Sequence, residues 1–372
     1  MIHAPRQVGK TTAMLALAQQ LTAQGNYTAI LLSAETGAAH PTIEDAERAM
    51  LSAWMGGVRA WLPSELHPDW SNLSIGSRIS AALQIWAETS PRPLVVFIDE
   101  IDALKDEILI SVLRQLRDGY PRRPHHFPHA LALIGLRDVR DYKVSSGGTE
   151  RLNTERLNTA SPFNIKVASL TMRNFNREEV ATLYQQHTED TGQIFSSEAI
   201  AHAFELTQGQ PWLVNALAKE IVEELVPDVT EAIEFSHVNQ AKEILIRRRD
   251  THIDSLAERL MEPRIKAILE PILAGSELGE VPIDDIQFVL DLGLCCMDPE
   301  GGLTIANPIY REVLPRMLTI TPMASLPQIK PTWLTAEGKL DADTLLDAFL
   351  MFWRQHGQPL LRSASYSGCL TS

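Results

Sequence analysis

Residues 4–12 carry the side chains best suited to chemistry, because Ala-Pro-Arg-Gln-Val-Gly-Lys-Thr-Thr follows the phosphate-binding pattern G-x-x-x-x-G-K-[ST]. Gly9, Lys10 and Thr11 match it, and the first glycine is replaced by Ala4. In such a loop, inward backbone N–H groups and a helix N-terminus attract an anion. Lys10 would reach the β- and γ-phosphates of a nucleoside triphosphate, and the Thr11 hydroxyl would ligate Mg²⁺. The alternative is a chance Gly-Lys-Thr before a surface helix.

Two elements must position this phosphate loop, a buried strand before it and a helix after it. The residues from Thr12 onward are strong helix formers and predict that helix. Only Met1, Ile2 and His3 precede the loop, whereas a buried strand usually has about five residues. We therefore expect a misassigned start or a lost upstream segment. The loop residues expected to bind the nucleotide are Ala4, Pro5, Arg6, Gln7, Val8, Gly9, Lys10, Thr11 and Thr12.

A second half of the site is predicted at residues 93–102, Pro-Leu-Val-Val-Phe-Ile-Asp-Glu-Ile-Asp. Residues 94–98 are uniformly apolar and β-prone, as expected for a parallel strand covered on both faces. Two carboxylates follow: Asp99 would hold the Mg²⁺ shell, and Glu100 would orient and activate an attacking water. A strand ending in a solvated acidic turn is the alternative. Both halves in the right order favour nucleotide binding.

The fold class follows from how these strands alternate with helical stretches. Residues 27–33 and 130–136 are further apolar strand candidates. The pattern predicts an α/β fold, a P-loop NTPase parallel sheet wrapped by helices, with the site at the carboxyl ends of the strands. Arg137, directly after 130–136, is the candidate catalytic sensor of the γ-phosphate. A surface arginine paired with Asp138 explains it equally well.

The net charge and the composition limit which classes of partner are expected. The net charge of −14 gives the body no general attraction to nucleic acid, so basic clusters at 122–123 and 247–249 are better explained as solvated helix ends and loops. Three cysteines form no disulfide framework or metal spacing. No signal peptide or membrane-length apolar stretch is present, which predicts a cytoplasmic chain without a membrane partner.

Beyond residue 170 the pattern turns helical. Asn176 and Ser196 are expected to cap helices. Gly209 ends one helix and Pro211 opens the next. The functional interpretation is a lid whose turn at 209–211 faces the nucleotide through Pro211. Simple helix punctuation is the alternative.

Residues 249–320 predict three helices and a β-hairpin at 294–306, closed by a helix after Asn307-Pro308. This arrangement suggests a winged helix, a module that binds DNA in many proteins. Because the composition is acidic, we favour a protein-contact or packing role. The predicted domains are an NTPase core with a truncated first strand (1–169), a helical lid (170–248), a winged-helix-like domain (249–320), and a linker, amphipathic helix and irregular tail (321–372).

These segments together resemble the AAA-like ATPases of the STAND branch, the signal transduction ATPases with numerous domains. The resemblance is carried by residues 4–12, 95–102, 133–138 and 209–211, with the winged-helix-like segment after them. It implies ATP rather than GTP, binding by Lys10 and Thr11, metal coordination through Asp99 and catalysis by Glu100. Many members are switches that couple the ATP state to an attached effector.

The resemblance therefore predicts a Mg²⁺-dependent ATPase, a hydrolase acting as a nucleotide-driven switch. Its expected partners are ATP and ADP, and a protein partner or a second copy; nucleic acid is unsupported by charge. Residues 305–313 and 349–353 also resemble a bacterial subgroup in which a PD-(D/E)xK nuclease-like domain follows, and we expect this chain to stop before it. The alternative is a non-catalytic remnant or regulator that holds nucleotide or protein, or associates with DNA through the winged helix.

Overall fold

The computed structural model describes residues 1–70, 73, 76–104, 106–136, 168–248, 259–260, 262–299, 301–325, 333 and 339–363. The chain forms two compact units, Met1–Leu318 and Thr319–Ser372. No described helix combines the length and the apolar character needed to cross a membrane.

A five-stranded parallel sheet organises the first part of the chain, with the strand order β2-β3-β4-β1-β5. The strands are β1 (Ile2–His3), β2 (Thr28–Ser33), β3 (Leu94–Asp99), β4 (Ala130–Gly135) and β5 (Leu170–Thr171). The predicted α/β fold class and the strands β2, β3 and β4 are confirmed. β5 was not predicted.

The first strand is short but central in the sheet. Ile2 lies opposite Ile134 of β4 and Leu170 of β5. The pairing extends past the strand ends, because Leu170 N donates to Met1 O at 2.9 Å and Ala4 N donates to Gly135 O at 3.4 Å. Two residues therefore suffice to fix the start of the phosphate loop between β4 and β5.

Helices cover both faces of this sheet, as the apolar strands require. They are α1 (Lys10–Ala23), α2 (Ile43–Trp61), α3 (Arg78–Thr89) and α4 (Asp106–Gly119). β3 is buried along its whole length. Because successive side chains point to opposite faces, Val96 and Ile98 pack into the core with α2, α3 and α4, while Val95 and Phe97 pack into the core with α1.

A helical bundle follows the sheet. It contains α5 (Arg177–Thr191), α6 (Ser197–Thr207), α7 (Pro211–Glu220), a π-helical turn (Ile221–Leu225) and α8 (Phe235–Arg248). Asn176 and Ser196 cap α5 and α6 as predicted, Asn176 in a reciprocal capping box with Glu179.

The next elements form a hairpin module: α9 (Pro263–Ala274), α10 (Ile283–Asp291), the antiparallel strands β6 (Cys295–Met297) and β7 (Leu303–Ile305), and α11 (Pro308–Ser325). The predicted hairpin and two of the predicted helices are present, while most of a third, at 253–260, lies outside the described residues. One continuous apolar core joins the bundle to the hairpin module. α11 ends at Ser325, a few residues past the predicted start of the linker at residue 321.

The second unit contains α12 (Ala342–Ser363), which confirms the predicted amphipathic helix. Asp341 caps it, since its carboxylate accepts the Thr344 N–H at 3.2 Å. Phe349 and Trp353, one turn apart, stack with ring centroids 6.2 Å apart and remain exposed.

Candidate active site

The phosphate loop runs from β1 into α1 through two residues with left-handed backbone. Gln7 has φ 59° and Gly9 has φ 82°. Gly9 is the N-cap of α1, and no side chain among the described residues caps the helix, whose first turn also has no acidic residue. The first N–H groups of α1 and its positive end are therefore available to an anion.

The backbone conformation of Ala4 explains how the loop tolerates alanine in place of its first glycine. The residue is 1% exposed, and its backbone lies outside the positive-φ region that favours glycine. The loop therefore accommodates the Ala4 methyl group, because the backbone at this position adopts a conformation that does not require glycine.

Lys10 lies across the phosphate loop. Its Nζ donates to the backbone oxygens of Ala4 at 2.9 Å and Pro5 at 2.8 Å. Burial lowers the pKa of Lys10, while the carboxylates of Asp102, Glu100 and Asp99 act in the opposite direction. The ammonium group is thus placed between the loop and a cluster of negative charge.

Thr11 and Asp99 join the two halves of the site. Thr11 Oγ1 donates to Asp99 Oδ2 at 2.5 Å, although 87 residues separate them in the sequence. Asp99 ends β3 and is 3% exposed. A hydroxyl and a carboxylate are hard oxygen ligands of the kind Mg²⁺ prefers. The described ranges contain no group of three or more His, Cys, Asp or Glu placed to hold a metal. These two ligands therefore fit a Mg²⁺ that arrives with nucleotide phosphates, and do not form an all-protein cage.

Glu100 occupies a strained backbone position. Its φ of 54° is left-handed, which costs a residue with a side chain about 1–2 kcal/mol. Such conformations cluster at functional sites, where surrounding contacts hold them. Burial raises the pKa of the Glu100 carboxyl, and the neighbouring Asp102 and Asp99 add to the increase.

The turn of the predicted lid, residues 209–211 (the lid turn), lies next to the phosphate loop at Gln210. The predicted contact of Pro211 with the nucleotide stays a prediction. Gln210 Nε2 lies 3.5 Å from Gln7 O, the long end of hydrogen bonding. Gln210 Oε1 accepts the Leu213 N–H at 2.6 Å and so caps α7, whose first residue is the buried Pro211. Gln210 was not singled out from the sequence. The sequence feature that could have indicated it is its position between Gly209 and Pro211, where the N-cap of a helix is expected.

A second contact reaches the loop from the hairpin module. Gly293, in the turn between α10 and β6, has φ 71°, and a Cβ added there would lie 2.9 Å from Pro5 Cβ. No sequence motif marks this contact.

The structure thus brings together Lys10, Thr11, Asp99 and Glu100, while Arg137 lies outside the described residues. Arg6, Gln7, Thr11 and Thr12 are exposed along the loop, and Val8 is buried. Asp102, which was not singled out from the sequence, also faces this site: its Oδ1 accepts the Leu136 N–H at 3.2 Å.

Comparisons with known proteins place this geometry in context. A family model described as an AAA-like domain matches residues 1–258. The Walker-type ATPase PABY2304 of Pyrococcus abyssi superposes with a TM-score of 0.57 at 15% identity, covering 84% of this chain and 90% of that chain. This likeness shows the P-loop NTPase fold. A search of curated proteins finds no match.

Two further solved structures are similar over most of their length. The RuvB Holliday junction branch migration motor of Thermotoga maritima gives a TM-score of 0.43 at 16% identity, covering 84% of this chain and 85% of that one. The ORC1 protein of Aeropyrum pernix, in complex with DNA, gives a TM-score of 0.39 at 13% identity, covering 87% of each chain.

Proposed function

The chain belongs to the AAA-like domain family, and from that premise we propose that it binds ATP with Mg²⁺ at the phosphate loop and hydrolyses it to ADP and phosphate. The observation that carries the proposal is the 2.5 Å contact between Thr11 Oγ1 and Asp99 Oδ2. It joins the phosphate loop to the end of β3 at the point where a hydroxyl and a carboxylate would share one cation.

Each residue of the site has a distinct task in this proposal. Backbone N–H groups of the loop and the start of α1 bind the phosphates. The phosphates compete with the Ala4 and Pro5 oxygens for the Lys10 ammonium, because hydrogen bonds between charged groups are the stronger ones. Thr11 and Asp99 would hold Mg²⁺, which would supply positive charge to neutralise the phosphates.

Glu100 orients the attacking water and accepts its proton as the water oxygen bonds to the γ-phosphorus and the bond to the bridging oxygen breaks. Its raised pKa suits a group that must take up a proton.

We also infer that the chain acts as a nucleotide-driven switch, whose nucleotide state is recognised by a protein partner or by a second copy of the chain. Gln210 of the lid turn and Gly293 of the hairpin module both lie against the phosphate loop. A change in the loop on nucleotide binding therefore reaches both elements. The aspartates Asp284, Asp285 and Asp291 on α10 favour a protein partner over the phosphates of DNA.

Binding tests the first half of the proposal. A fluorescent ATP analogue with Mg²⁺ is titrated into the wild type, Lys10→Ala and, as a matched control, Lys219→Ala, whose side chain is largely exposed. We expect the affinity to fall at least about 10-fold for Lys10→Ala alone. Equal affinity in all three proteins contradicts a nucleotide site at this loop.

Phosphate release tests the second half. Glu100→Gln should bind the analogue as the wild type does and release phosphate about 100-fold more slowly, since general base catalysis contributes about 10²–10⁴-fold. Unchanged release in this variant refutes the catalytic role of Glu100. Tight binding by the wild type without any release would support the non-catalytic, nucleotide-holding alternative.

A further inference from the structure

Asp102 connects the turn after Glu100 to the neighbouring strand. It lies in the single 3₁₀ turn Ile101–Ala103 that follows β3. Its Oδ1 accepts the backbone N–H of Leu136 at 3.2 Å, and Leu136 is the first residue after β4. One side chain therefore ties the carboxyl ends of two adjacent strands, β3 and β4, to each other.

Gly135 leaves the room that this tie needs. A Cβ added to Gly135 would lie 2.8 Å from Asp102 Oδ1 and 3.2 Å from Ile101 Cγ2. Any side chain there would have to displace the carboxylate or the turn. The glycine at the end of β4 and the carboxylate after β3 are therefore complementary.

Glu100 is held between two anchored carboxylates. On one side, its N–H donates to Asp99 Oδ1 at 2.8 Å. On the other side, Ala103 N donates to Glu100 O at 3.0 Å, which closes the turn that Asp102 fastens to β4. Left-handed backbone at a residue with a side chain persists only when its surroundings fix it. Of these three hydrogen bonds, the one from Leu136 N to Asp102 Oδ1 connects the turn to a different strand, β4.

We propose that Asp102 is a positioning residue for Glu100: by accepting the Leu136 N–H, it holds the turn that presents the Glu100 carboxylate to the attacking water. The inference rests on the proposed ATPase function. Asp102 touches neither nucleotide nor water in this role. It acts through the hydrogen bond, so an uncharged acceptor of the same shape should replace it.

Three variants separate the hydrogen bond from the charge. Asp102→Asn keeps an acceptor oxygen and loses the charge, whereas Asp102→Ala loses both. Gly135→Ala leaves Asp102 in the sequence and disturbs the tie from the other side. Asp118→Ala is the matched control, because Asp118 is a carboxylate on α4 with a largely exposed side chain. For each protein, kcat and KM of phosphate release, the Kd of a fluorescent ATP analogue with Mg²⁺ and the unfolding midpoint are measured.

We expect kcat to fall about 10- to 100-fold for Asp102→Ala and Gly135→Ala, since small misplacements of a catalytic group have effects of this size. Their Kd values should stay within about 2-fold of the wild type, and Asp102→Asn should keep kcat within about 3-fold. An equal loss in Asp102→Asn and Asp102→Ala would overturn the proposal, because the charge would then be the cause. A parallel rise in Kd would also overturn it.

The wild type separates failure of this inference from failure of the proposed function. If the wild type binds and turns over ATP while Asp102→Ala and Gly135→Ala keep its kcat, only the positioning role is wrong. If the wild type releases no phosphate, the proposed function and this inference fail together. Unfolding midpoints above the assay temperature confirm that each variant is assayed in its folded state.

Discussion

Gly293 lies so close to Pro5 that a Cβ added to the glycine would sit 2.9 Å from the proline Cβ and 3.0 Å from its Cγ. The glycine also has left-handed backbone, with φ 71°. The turn between α10 and β6 of the hairpin module therefore lies directly against the phosphate loop. A shift of Pro5 on nucleotide binding would press on this turn or free it.

Gly293→Ala should change nucleotide affinity more than its backbone strain alone explains. The new methyl group would push against Pro5, and we expect the Kd of the fluorescent ATP analogue to change about 5- to 10-fold, at the low end of the usual coupling between linked sites. Gly275→Ala is the matched control, because Gly275 has φ 67° and an added Cβ would meet none of the described residues within 4 Å. The same Kd for both variants would show that the contact with Pro5 does not affect the loop.

Gly209→Ala should be among the most destabilising single changes in the bundle. A Cβ there would collide with the carbonyl oxygen of Phe175, while Phe175 N donates to Gly209 O at 2.9 Å. We expect a loss of about 3 kcal/mol or more in the free energy of unfolding, from steric overlap added to left-handed strain. Gly192→Ala shares the strain, with φ 81°, but its new Cβ would have no atom of the described residues within 4 Å. It should lose only about 1 kcal/mol, and urea unfolding of both variants distinguishes the two cases.

Thr11→Ala should weaken nucleotide binding only when Mg²⁺ is present. The hydroxyl lies beside Asp99 Oδ2, and in the proposed function it would serve the cation rather than the phosphates. We expect an affinity loss of about 10-fold with Mg²⁺ and almost none in EDTA. Thr11→Ser keeps the hydroxyl and should retain the Mg²⁺ dependence. A loss of equal size with and without Mg²⁺ would assign Thr11 to direct phosphate contact instead.

Local patterns predicted the central strands and the core of the site. β3 is a continuous apolar run ending in carboxylates, and Lys10 and Thr11 follow a glycine, so short-range chemistry identifies them. Parallel strands bring their carboxyl ends to one edge, which is why Thr11 and Asp99 could be expected to meet.

Long-range contacts between ordinary residue types were not predictable. Gly293 against Pro5 and Asp102 against Leu136 depend on how distant elements dock, and neither pair has a spacing or composition that marks it. β1 has two residues, fewer than a strand usually has. It forms because β4 and β5 pair with it on both sides. Tertiary pairing overrode the local signal there.

The capping box of α5 predicts a specific pH dependence. Arg173 donates to both Glu179 oxygens, at 2.7 and 2.8 Å, and the Asn176 N–H donates to one of them. These hydrogen bonds, that of Arg173 first, lower the pKa of Glu179 from its ordinary 4.5 to about 2. A carboxyl group whose pKa is lowered by folding stabilises the native state at pH values above its pKa in the unfolded chain. The stabilisation disappears as the pH falls from about 4.5 towards about 2.

Glu179→Gln removes this charge but keeps an amide able to cap. The wild type should therefore show a higher urea midpoint than the variant at pH 7, and the same difference at pH 5.5, followed by a shrinking difference between about pH 4.5 and pH 3. Because the Glu179 side chain is 43% exposed and its ion pair lies at the surface, the difference should be small and should decrease in high salt. Glu178→Gln, the neighbouring exposed carboxylate, serves as the control for general charge. A wild-type advantage that stays constant down to pH 3 would show that the Arg173–Glu179 pair does not set the stability of this helix start.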